Sequence, residues 1–179
     1  MLKIIIPAVE QFNDADNEFV TLKEQSLQLE HSLVSLSKWE SKWCKPFLTK
    51  ENKTTEESID YIRCMTLTQN VAPNVYVGIT LENIKQVSEY IEASMTATIF
   101  SSAKKTTNKE VITAEIIYYW MITMNIPFEC QKWHLNRLLT LINVCNIKNQ
   151  PQKKMSKKEL MSRNASLNAA RKQAFNTKG

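Results

Sequence analysis

Three features of the chain predict a mainly α-helical fold, an α+β protein whose β content is confined to a minor N-terminal element. Glycine is almost missing, with only Gly78 and Gly179 among 179 residues. Tight hairpins, phosphate-cradling loops and strained nucleophile turns all use glycine's freedom at positive φ, so its scarcity favours helices joined by ordinary loops. From Ser32 onward, apolar residues recur at helical spacing behind Ser and Thr residues placed as caps. Alternation of apolar and polar residues, the mark of a half-buried strand, is confined to the segment before His31.

The elements follow in order. LKIII and EFVTLKEQSLQLE set Phe19, Leu22, Leu27 and Leu29 among polar residues, which predicts a small β-hairpin or short sheet with NDAD at 13–16 as its turn. The first helix opens after Ser32, presents Leu33, Leu36, Trp39 or Glu40, and Trp43, and stops at Pro46. KENKTTEES is a loop ending in a capping box, because Thr54 and Glu57 stand at the spacing that lets each satisfy the other's backbone N–H. The second helix carries Ile59, Ile62 and Met65, and 70–78 is a turn region. Thr80 caps a third helix with the stripe Ile84, Val87 and Ile91.

Residues 93–108 are Ser/Thr-rich and predict a surface loop. Thr107 with Glu110, or Thr113 alone, opens the fourth helix, which carries Ile116, Ile117, Tyr119, Trp120, Met121 and Met124. A helix apolar nearly all round is expected at the centre of the fold. Pro127 is placed at the first position of the fifth helix, where its missing N–H does no harm. The stripe there is Leu135, Leu138, Leu139, Ile142 and Cys145, with Leu135, Leu138 and Ile142 expected to pack on Trp120. IKNQPQKK is a linker, and Ser156 with Glu159 starts a last helix running to about Gln173. Its stripe of Leu160, Leu167 and Ala174 is thin, so it needs a partner surface to order it. The expected organisation is a helical body over 1–147, including the N-terminal β-hairpin, and a basic linker and C-terminal helix over 148–179.

Charge divides the chain in the same way. Residues 1–103 hold 9 Lys/Arg against 14 Asp/Glu, whereas 104–179 hold 14 against 4. Beyond Cys145, 9 basic residues face the single acid Glu159, so an acidic body carries a basic tail. No stretch reaches the roughly 20 apolar residues of a membrane span, and the start lacks the pattern of a signal peptide. Cys44, Cys64, Cys130 and Cys145 are scattered without a CxxC pair, which predicts free thiols.

Candidate chemistry is sparse. Cys130 and His134 stand four apart and would share a helix face, but zinc wants two further ligands; a buried thiol beside a surface imidazole is the plainer reading, so neither metal nor cofactor is expected. His31 and His134, the only histidines, adjoin no nucleophile motif, and Glu51, Glu56, Glu57 and Asp60 read as cap and surface residues. No catalytic residues are assigned. Of four tryptophans at core-like positions, Trp133 sits off the leucine stripe and is a candidate protein contact. The other candidate contacts are on the tail: Lys153, Lys154, Lys157, Lys158, Leu160, Arg163, Leu167 and Arg171. Such a tail also admits nucleic acid, ranked below protein because Phe175 is its single aromatic.

Two blocks carry a family resemblance. EVITAEIIYYWMITMNIPFECQKWHLNRLLTLINVCNIKNQPQKKMSKKELMSRNASLNAARKQAFNTKG, together with HSLVSLSKWESKWCKPFL and TTEESIDYIRCMTL, resembles small proteins from the structural gene block of tailed bacteriophages. Within that group the chain is similar to tail assembly chaperones. The resemblance implies a mostly helical, non-enzymatic protein that binds the tape measure protein and tail-tube subunits in the cytoplasm of the bacterial host, with self-association also open. A permanent virion component, such as a head–tail connection or capsid-associated protein, is the alternative it implies. The sequence marks no exposed apolar groove for a client.

Overall fold

The computed structural model describes residues 1–13, 18–49, 51–100, 111–149 and 156–176. The chain divides into two compact units, Met1–Asn146 and Ile147–Gly179. Its architecture is mainly α with a small antiparallel β element.

The N-terminal strands nest. β1 (Leu2–Ile6) pairs with β4 (Gln25–Leu29), and inside that pair β2 (Val9–Asn13) runs against β3 (Glu18–Leu22). Pro7, which has no N–H to give a ladder, lies between the two ladders. The expected hairpin is therefore a ribbon in two sections; of the expected turn, all but Asn13 lies outside the described residues. Ile4, Ile6, Leu27 and Leu29 alternate onto the buried face of the outer pair.

Local capping sets the helix starts. α1 (Leu33–Trp43), α2 (Thr55–Met65), α3 (Leu81–Glu92) and α6 (Lys157–Phe175) each begin with a reciprocal capping box, from Ser32, Thr54, Thr80 and Ser156 respectively. Ser35 and Asn83 take the place usually held by Glu or Gln in the first and third. Residues 73–78 of the expected turn region form a 3-10 helix. Within it Gly78 lies hard against β1, where an added Cβ would come within 2.9 Å of Ile6 Cγ2. On α3 the buried face is Asn83, Val87 and Tyr90, while Ile84 and Ile91 are half-buried. Asn83 also donates to the Ile5 carbonyl, which ties α3 to β1.

Two expectations about the later helices are corrected. α4 (Ala114–Thr123), opened by Thr113, is not enclosed: Ala114, Ile117 and Met121 are buried, whereas Tyr119 and Ile122 are exposed. Its chief neighbour is α1 rather than α5 (Leu135–Asn149), although Trp120, Leu135, Leu138 and Ile142 do share one apolar cluster. Pro127 does not start α5 but precedes a separate 3-10 turn, Phe128–Lys132. Trp133 is extended, and His134 pairs in β fashion with Ser32, so the helix begins only at Leu135. Thr107 and Glu110 lie outside the described residues, as does 101–108 of the expected loop; 93–100 is irregular.

The core centres on α1 and α2. Trp39 is edge-on to Phe47 at 5.0 Å, and Phe47 stacks on Tyr61 at 3.8 Å between centroids. Trp39 Nε1 donates to the Glu57 carbonyl at 2.9 Å, so the indole is buried without an orphaned donor. In the second unit, no side chain of α6 is buried.

Candidate functional site

The segment 28–32 is the hub on which the polar interior is built. One edge of it holds the end of α2, through Glu30 N to the Met65 carbonyl and Leu67 N to the Gln28 carbonyl. The other edge holds the approach to α5, through Leu135 N to the His31 carbonyl at 2.7 Å. Chain pairing thus brings the two histidines together, with ring centroids 5.1 Å apart and both side chains buried. His134 is therefore not the surface imidazole expected of a helix position, and it shares no helix face with Cys130.

Three of the four ring nitrogens of these histidines hold hydrogen bonds within the fold. His134 Nε2 lies 3.0 Å from the Tyr90 carbonyl, which can only accept, so Nε2 carries the proton. Its Nδ1 accepts from Asn136 N at 3.3 Å. His31 Nδ1 shares a 2.6 Å hydrogen bond with the Tyr61 hydroxyl. Burial, and then the neighbouring His134, lower the pKa of His31 to about 3, and burial also lowers that of His134. Burial raises the phenols of Tyr61 and Tyr90, the latter also donating to Glu30 at 2.8 Å. Both imidazoles are neutral at physiological pH, enclosed and bonded, which suits a structural pair rather than a base facing substrate.

Carboxylates expected on the surface are also drawn inward. Glu57 and Asp60 are buried. Lys45 bonds Glu57 at 2.6 Å and, with the Thr54 backbone, holds its pKa low. Burial would raise Asp60, but donation from Lys42 at 2.5 Å and from Trp43 Nε1 at 2.9 Å overcomes it, so its pKa is lowered. Glu40 is buried between three segments: Oε1 accepts from Phe47 N at 2.8 Å and Oε2 from Ala114 N at 2.7 Å. Thr113 makes no side-chain cap bond, so this distant carboxylate satisfies the first N–H of α4 and places a negative charge at the helix's positive end.

Among the described residues, no group of three or more His, Cys, Asp or Glu could hold a metal ion. All four cysteines are free, and burial raises the pKa of the half-buried Cys64. A cleft of about 270 Å³ opens beside Glu30, Ser35, Lys38, Cys64 and Lys132. Its two serines, Ser32 and Ser35, bond within the α1 cap.

The contacts expected from sequence fall in two places. Trp133 is half-buried, with the Arg137 guanidinium 4.2 Å from its ring. Lys157, Lys158, Leu160, Arg163, Leu167 and Arg171 all lie exposed on α6, while Lys153 and Lys154 lie outside the described residues. The exposed apolar residues of α4 and of the turn after it were not singled out from sequence. Their signal was an apolar content too high for the one face that is buried. No described helix is long and apolar enough to cross a membrane. Compared with known proteins, the chain matches no family model, no curated protein and no solved structure.

Proposed function

We propose that the chain is a non-enzymatic, protein-binding assembly factor: a bacteriophage tail assembly chaperone that engages the tape measure protein, tail-tube subunits or both in the host cytoplasm. The observation that carries this reading is α6, nineteen residues long, capped at both ends, basic, and without one buried side chain. A helix that polar gains nothing from a core of its own, so its surface is available to another protein. Its Lys and Arg residues beside Leu160 and Leu167 suit an acidic, partly apolar partner face. The bonds that His31, His134, Glu40, Glu57 and Asp60 make inside the body fit the same reading, since they tie these groups to the fold.

The test is made in phage-infected cells. The full chain, affinity-tagged, is expected to co-purify with tape measure or tail-tube protein identified by mass spectrometry, and to be missing from purified particles. Removing residues 150–179 should leave the thermal midpoint of the body nearly unchanged and abolish the association. Retention in particles at fixed copy number would replace the chaperone with a permanent virion component. Steeply salt-dependent binding to nucleic acid, without any tail protein, would refute both.

A further inference from the structure

We propose that the outward face of α4, with the 3-10 turn that follows, is a docking surface for a basic amphipathic helix of a protein partner; the proposal deepens the protein-binding reading above and rests on it. α4 reads AEIIYYWMIT, with Glu115 its only charge. Ala114, Ile117 and Met121 account for its buried side. Away from that side, Tyr119 is 62% exposed and Ile122 59%, and Phe128 on the turn is 54% exposed. These are not scattered residues. Tyr118 donates to Gln131 at 2.8 Å and its ring lies 6.5 Å from that of Phe128, so the turn is tied alongside the helix.

A single exposed apolar side chain is ordinary, but a contiguous aromatic patch within a polar rim marks an interaction site. Local structure does not require this patch, because Tyr and Ile are weaker helix formers than the Ala, Lys or Glu that ordinarily cover an exposed face. Tyr118 with Ile122, and Tyr119 with Ile122, stand four and three residues apart, which forms a ridge of the kind another helix packs against. Tyrosine is also among the residues that dominate binding energy at such centres.

Charge selects the occupant. Glu115 lies one turn before the tyrosines and Glu129 follows Phe128; both are exposed, and Lys132 at the far end of the turn is the single cation of the two elements. An apolar stripe flanked by Lys or Arg meets that rim favourably, whereas the face against its own copy would oppose two acidic rims.

The experiment uses the full chain and, as probe, a fluorescent synthetic helix of about five turns with a leucine stripe flanked by lysines. Wild type should bind it. Tyr119→Ser with Ile122→Ser should weaken binding about tenfold or more without moving the melting temperature, since both side chains are already exposed. Glu115→Lys with Glu129→Lys should weaken it too, and should create affinity for the matching leucine–glutamate peptide. Undiminished binding by the serine variant, or a wild-type preference for the glutamate peptide, would overturn the proposal. A wild-type dimer that the serine changes dissociate would also overturn it, by giving the face to a second copy. If client co-purification persists while the peptide ignores α4, this assignment alone fails; if both are lost, the protein-binding reading fails with it.

Discussion

Replacing Glu40 with Gln isolates one carboxylate that joins three separate pieces of the fold. The side chain is buried, with one oxygen accepting from Phe47 N at 2.8 Å and the other from Ala114 N at 2.7 Å. Gln keeps one acceptor but turns an NH₂ group toward the second N–H, so one charge-assisted bond is lost and two donors face each other. Such a bond contributes about 1.5–3 kcal/mol, and a negative charge at a partly buried helix start adds up to about 2 kcal/mol. Because the terms overlap, the expected loss is roughly 2–4 kcal/mol for Glu40→Gln, and larger for Glu40→Ala, which leaves two N–H groups unpaired. At about 2–4 °C per kcal/mol for a chain of this size, the midpoint should fall by roughly 5–15 °C. Urea unfolding followed by circular dichroism at neutral pH measures it. Thr113→Asp in the Glu40→Gln background should recover about 1 kcal/mol by supplying a local cap and charge. A Glu40→Gln protein within about 0.5 kcal/mol of wild type would refute the reasoning, because the start of α4 would then be held by something else.

Other perturbations follow from the same packing. Leu138→Ala empties a fully buried site and should cost about 2–5 kcal/mol; a loss well under 1 kcal/mol in urea melts would mark α5 as peripheral. Gly78→Ala must push Ile6 aside and should cost about 1–3 kcal/mol in the same assay. His31, held near a pKa of 3 against about 6.5 unfolded, takes up a proton on unfolding, so stability should fall as pH drops below 6.5. Between pH 6.5 and 4.5 that amounts to about 2–3 kcal/mol, with His134 adding in the same direction, while the lowered Glu57 and Asp60 lose their contributions only at more acid pH; a stability flat across that window would contradict the neutral buried pair. Denatured without reductant, the protein should titrate four thiols, and two or fewer would expose a missed disulfide.

What could be read from the sequence was what depends on near neighbours. Ser32, Thr54, Thr80 and Ser156 announce their helices because a cap and its partner lie three residues apart. The core positions of α2 and α5 follow for a similar reason, since spacing alone puts Ile62 with Met65 and Leu135 with Leu138 on one side. The rest depends on partners distant along the chain. Glu40 and Ala114 are 74 residues apart, and His134 and the Tyr90 carbonyl 44, so nothing local distinguishes these polar groups from surface ones. α4 shows a different limit. Apolar content reports what a helix could bury, not whether a neighbour arrives to cover it, and so Tyr119 was expected inside. Pro127 suits the start of a 3-10 turn as well as that of an α-helix, and the pairing of His134 with Ser32 delays α5.

The nested ribbon also orders events in time. Asn13 pairs with Glu18, so β2 and β3 meet after closing a short loop, whereas Leu2 must find Leu29. Loop-closure entropy favours the inner pair as the first contact, and each pair formed shortens the search for the next. The ribbon should therefore zip outward from its distal end, with Ile4, Ile6, Leu27 and Leu29 aligned last. Substitutions in β2 and β3 would then slow folding, while those at Ile4 or Leu27 would chiefly hasten unfolding. The pair whose Ile4, Ile6, Leu27 and Leu29 line the core would thus be aligned by a pairing made first at the far end of the ribbon.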